Sequence, residues 1–277
     1  MARMRPIARL CCGLFWLAAL APCAASPACD ASAAREKARL DRVGERLDIV
    51  LADGRLIFFP SLEPPRATPA APARPAEVAS ELTSLLRDKP LLVLPLGGVD
   101  RWGRIPARLL VEGESESADE ARAAAGLVMA SSDPGPCGAG VTAAEAEARA
   151  AKLGIWADPA FAVLSPDDPA VFASRAGTLV LVEGPIHSIG HSAGRTYLNF
   201  AGRRGGVSLV VARRNLAAFE RAGFSDKTLV NRRVRARGVV EIGVAPQIDL
   251  FHPGQIEFME EASQTDSAPR ADNTERR

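Results

Sequence analysis

Apolar and polar residues follow one another in short blocks along this chain, and most blocks carry the two-residue period of a strand. Leu47–Leu51 leads into the turn Ala52-Asp53-Gly54 and then into apolar Leu56–Phe59, so residues 38–59 predict a hairpin. Prolines at 60, 64, 65, 69, 72 and 75 exclude regular structure up to Pro75 and predict an exposed loop. Pro75 suits the first position of a helix, and Val78, Leu82, Leu85 and Leu86 then recur at helical spacing. Leu91–Leu96 and Ile105–Val111 predict two strands joined by a tight turn at Gly103. Ser117–Glu120 and Thr142–Glu145 each have the form of a capping box. They predict one helix through Met129 and another to about Trp156, with Ala146, Arg149, Ala150 and Leu153 along one side.

Residues 38–157 therefore read strand, strand, helix, strand, strand, helix, helix. That order predicts a small five-stranded, OB-like β-barrel with helices packed beside it. Residues 158–175, rich in Pro and Asp, read as a linker. A second unit, 176–259, carries five strand-like runs: Thr178–Gly184, Thr196–Phe200, Val207–Val211, Val234–Ile242 and Pro246–Leu250. Asn215 would cap a short helix, Leu216–Ala222. This unit fits a second small OB-like barrel, and the fold class is α+β, mainly β. Residues 260–277 are polar and charged and read as a disordered tail.

Composition adds limits rather than a function. The 277 residues are 47% hydrophobic and 24% charged, with a net charge of +1, so affinity for a polyanion would have to come from a local patch. Arg3, Arg5 and Arg9 precede an apolar run, Leu10–Ala21, and then small residues suited to cleavage. This predicts a secretory leader, 1–28, and an exported protein, periplasmic or secreted. The apolar run falls short of the ~20 residues that span a bilayer, so the mature form is expected to have no membrane span. Cys11, Cys12 and Cys23 leave with the leader. Cys29 and Cys137 remain, as one disulfide or as two unpaired thiols.

The pentad Asp100-Arg101-Trp102-Gly103-Arg104 sits between two predicted strands, and the last helix of the first unit closes on Gly154-Ile155-Trp156. Together they resemble the staphylococcal-nuclease (thermonuclease) family over residues 38–157. Residues 178–258, with Gly194–Phe200 and His252–Glu257, resemble a second domain found behind some bacterial members. The resemblance implies Ca²⁺-dependent phosphodiester hydrolysis of DNA or RNA. A hard cation and two arginines would offset the charge that builds on the phosphate, and a glutamate would handle the attacking water. By this resemblance Arg104 is the phosphate-binding arginine. Glu45, after Gly44, and Glu63 take the places of metal carboxylates. Arg66 then stands where the catalytic glutamate belongs, and Phe58 where the second arginine belongs. A shifted frame gives Arg55 the second-arginine role and Glu63 the general-base role, but it puts Pro60 at a metal-ligand position. Either frame lacks parts. The implied function is a nucleic-acid- or phosphate-binding protein with impaired hydrolysis. An active Ca²⁺-dependent nuclease and an envelope interaction module are the alternatives.

Arginines crowd residues 203–237, and alternation puts Arg233, Arg235 and Arg237 on one strand face. With Tyr197 nearby they could hold single strands, or they could pair with acids from elsewhere. Trp102 reads as a base-stacking platform or as a residue partly buried beside its hairpin. Trp156 reads as core. His187 and His191 are four apart but lie in a Gly/Ser-rich hairpin, where helical metal spacing does not apply.

Overall fold

The computed structural model describes Cys29 and residues 35–135, 137–201 and 206–259. The expected leader and tail, and Arg203 and Arg204, lie outside the described residues. The architecture is mixed α+β, with one sheet of six strands and one of seven. Among the described residues no helix is long and apolar enough to cross a membrane.

The first sheet comprises β1 (Glu36–Ala38), β2 (Leu40–Val43), β3 (Ile49–Leu51), β4 (Leu56–Phe58), β5 (Leu91–Pro95) and β6 (Arg104–Val111). Its order is β1-β5-β6-β4-β3-β2, so its two end strands are consecutive in sequence, with only Arg39 between them. β4 and β6 run parallel, with Leu56 opposite Arg104; every other pair is antiparallel. Alternation along β3 and β4 turns Ile49, Leu51 and Ile57 into a core shared with Leu82 and Leu86 of α1 (Arg74–Leu86).

α2 (Ala118–Ala124) is shorter than expected. Gly126 adopts φ +66°, which ends the helix, and its carbonyl accepts from the Ile155 amide at 2.8 Å. α3 (Gly138–Ala150) starts earlier than its expected cap. The Thr142 hydroxyl donates back to the carbonyls of Gly138 and Ala139, so Thr142 lies inside the helix. Trp156 lies in a separate 3-10 turn, Gly154–Ala157, and is buried.

The stretch 158–175 forms a second 3-10 turn and α4 (Pro169–Ser174), and it buries Phe161, Leu164 and Phe172. β7 (Leu179–Pro185), β8 (Ser188–Ser192), β9 (Arg195–Asn199), β10 (Ser208–Ala212), β11 (Arg233–Ile242), β12 (Pro246–Leu250) and β13 (Ile256–Phe258) form the second sheet. α5 (Arg213–Arg221) and α6 (Asp226–Leu229) lie between β10 and β11. β8 and β13 exceed the five expected strands; Ser-Ile-Gly-His-Ser carries no apolar alternation to announce β8.

The pairing scheme repeats that of the first sheet. β7 pairs with β11, β8 with β9, β9 with β10, and β10 runs parallel to β12. Each sheet has its own core, and a third apolar cluster joins them through Met129, Ala148, Trp156, Phe161, Leu179 and Leu181.

Candidate functional site

The turn between β5 and β6 is built around one carboxylate. Asp100 Oδ1 accepts from the amides of Trp102 and Arg104, both at 2.9 Å, and Gly103 takes φ +79° to close the turn. Arg104 opens β6. Its Nε donates to Asp100 Oδ2 at 3.0 Å and its Nη1 to Asp48 Oδ1 at 3.2 Å. Burial opposes ionisation of Asp100, but those amides and the guanidinium outweigh it and hold the carboxyl below its ordinary range. Burial likewise pulls Arg104 down, and Asp100 and Asp48 more than compensate, so its pKa rises.

Aromatic rings complete the surroundings. The Arg104 guanidinium lies 4.4 Å from the Phe58 ring and 5.0 Å from that of Trp102. Arg101 covers Trp102 at 3.9 Å. Trp102 is 61% exposed, so it stands clear of its hairpin rather than tucked beside it. A cavity of about 200 Å³ opens here, lined by Arg46, Asp48, Phe58, Phe59, Pro64 and Arg104. Arg46 and Arg104 line it together with the Asp48 carboxylate and the Phe58 ring.

Among the described residues no hydrogen bond or ion pair joins the other expected site residues to Arg104. Arg55 precedes β4 in an exposed turn and pairs with Asp53 and with Glu36 of β1. Arg66 donates to the carbonyls of Leu179 (3.1 Å) and Ala160 (3.3 Å) and stacks on Phe161 at 4.5 Å. Glu45 is exposed in the turn after β2. Glu63 is half-buried, its amide tied to the Met129 carbonyl at 2.9 Å. Burial raises the Glu63 carboxyl pKa, with Arg66 and Arg46 drawing it back. Among the described residues no group of three or more His, Cys, Asp or Glu is placed to hold a metal ion.

No family model matches this sequence, and no curated protein is similar enough to count as a relative.

The expected basic face on β11 is neutralised. Register places Glu183 of β7 and Glu257 of β13 on either side of Arg235. Arg235 binds Glu183 at 2.9 Å and Glu257 at 3.1 Å, and Arg233 binds Glu183 at 3.1 Å. Arg237 is buried, donating to the Ala130 carbonyl at 2.6 Å and pairing with buried Glu145 of α3. It serves as a tie between the two sheets. Tyr197 is half-buried on β9. His191 is engaged by Asp226 at 2.9 Å and Thr196 at 3.1 Å. Cys29 and Cys137 form a disulfide spanning 108 positions. Asp48 and Arg46 belong to the site and were not anticipated; their position just before β3, opposite the β5–β6 turn, follows only from the β3-β4-β6 order.

Proposed function

We propose that this chain is an exported, thermonuclease-like protein of two OB-like barrels that binds single-stranded nucleic acid, or its phosphate groups, with little or no phosphodiester hydrolysis. The barrel reading is supported by the strand path. The ends of the first sheet, β1 and β2, are one segment broken at Arg39, and β7 and β8 are likewise separated only by Ile186 and His187. A bent strand pairing at both ends, with the third and last strands parallel, is the arrangement a five-stranded barrel requires.

The single observation that carries the functional reading is Phe58 against Arg104. Where the resemblance calls for a second guanidinium on the strand, an aromatic ring stands. Arg55 is engaged by Asp53 and Glu36, and Arg66 by the carbonyls of Leu179 and Ala160. Loss of one transition-state donor costs ~10²–10³ in rate, and loss of a general base ~10²–10⁴. Binding needs less: Arg104, with Arg46 beside it in the cavity, and the exposed Trp102 would supply the cation and the ring.

The test is incubation of labelled single-stranded DNA with the purified protein, in Ca²⁺ and in EDTA. The expected outcome is a retarded but intact strand in both. Arg104→Ala should weaken binding about tenfold and lower the salt slope by about one. Chelator-sensitive fragments that vanish with Arg104→Ala would instead establish an active nuclease. Neither retardation nor cleavage would leave the interaction-module reading.

A further inference from the structure

A second cavity, of about 280 Å³, lies between α3 and the strands β11 and β13, away from Arg104. Arg149 of α3 and Arg235 and Arg237 of β11 line it, and Glu257 is the acid among its lining residues. Two of these arginines have partners of full strength: Arg237 holds Glu145 and a carbonyl, and Arg235 holds Glu183 and Glu257.

Arg149 is different. Its side chain is only 16% exposed, yet its guanidinium makes no hydrogen bond among the described residues. The nearest carboxylate oxygen, Glu145 Oε1, lies at 3.8 Å, beyond hydrogen-bond length, while Arg237 takes the other oxygen of that carboxylate. The remaining contact is the Trp156 ring, 5.5 Å away. Burial, and then the charges of Arg235 and Arg237, depress the Arg149 pKa. Unlike Glu145 Oε1 and Trp156 Nε1, the Arg149 nitrogens are open to solvent, so an acceptor that enters the cleft can reach them.

We propose that this cleft is an oxyanion site, with the Arg149 guanidinium holding a phosphate group and the remaining volume admitting a small organic substituent. The α3 wall favours this, because Ala139, Ala143 and Ala146 leave space and bring no acid. A guanidinium fork matches one edge of a tetrahedral oxyanion. The site does not depend on the Arg104 reading.

Calorimetric titration of the purified full-length protein with inorganic phosphate, and separately with adenosine 5′-monophosphate and adenosine, tests it. Saturable phosphate and monophosphate binding with a millimolar or lower constant is expected, and none for adenosine. Arg149→Ala should weaken phosphate binding about tenfold, and Arg149→Lys should recover part of the loss. Ala143→Leu fills the cleft without touching the arginine and should abolish binding; it also carries the test if Arg149→Ala fails to fold. Absence of saturation at about 10 mM phosphate would overturn the proposal. So would binding that is equal in the wild type and both cleft variants, or binding removed by Arg104→Ala alone.

Discussion

At Glu63, half-buried beside Arg46 and Arg66, the environment of one side chain has a readable consequence. Its carboxyl pKa is raised in the folded state, chiefly by burial, so the native protein binds the proton more tightly than the unfolded chain. Stability linked to Glu63 is then largest below its unfolded pKa and falls as pH rises through the folded value. Glu63→Gln removes that fall. Melting temperatures measured between pH 4 and 8 should be higher for the variant at neutral pH and converge with the wild type in acid. A variant less stable at pH 7 would show that the two arginines need the charge. The pentad marked the β5–β6 turn in the sequence, and Asp100 holds it by binding the Trp102 and Arg104 amides and the Arg104 guanidinium. Phe58 was legible only as a misfit, since its role depends on β4 lying beside β6. The alternation of Arg233, Arg235 and Arg237 was plain as well. Their partners were not: Glu183 is 50 and 52 positions from the first two, and Glu145 is 92 from the third.

Element order was the most legible property, and element ends the least. Periodicity located α1, β5, β6 and most strands of the second sheet, because each has one apolar face that must be buried. Capping patterns misled where a hydroxyl had another acceptor, as Thr142 does inside α3. The close approach of Gly126 to Gly154 could not be foreseen. Both take positive φ, and a Cβ on either would run into the other strand of chain: into the Leu153 carbonyl from Gly126, and into the Gly126 carbonyl from Gly154. This contact turns the chain out of α2 and aligns the Trp156 turn beneath it. Gly154→Ala is expected to destabilise the protein by about 2–3 kcal/mol in denaturant melts, since strain and steric overlap add. A loss below about 0.5 kcal/mol, the size of an ordinary surface change, would mean that the turn can move.

The whole molecule is tied together by polar contacts set into an apolar seam. Arg237 reaches across to Ala130 and Glu145, His252 to the Ser132 carbonyl at 2.8 Å, and Arg66 to Leu179. Glu145 is fully buried, so Arg237→Ala strands a charge and should cost about 3–5 kcal/mol. Replacing both partners, Arg237→Met with Glu145→Leu, should recover most of that loss. If the double variant is as unstable as the single one, the pair does more than satisfy its own charges. Arg104 and Trp102 lie at the β5–β6 turn of the first sheet, where Arg104 lines the cavity beside Asp48. On the proposed reading the first sheet offers a recognition surface without a complete hydrolytic set. Anisotropy of a fluorescent single-stranded oligonucleotide, followed over time in Ca²⁺, tests that assignment most directly. The account predicts a rise to a lasting plateau that drops as salt is added and is lowered by Trp102→Ala, in keeping with ~1–3 kcal/mol per stacked base. A rise that decays in Ca²⁺ but persists in EDTA would contradict it, as would a trace that never rises at low salt.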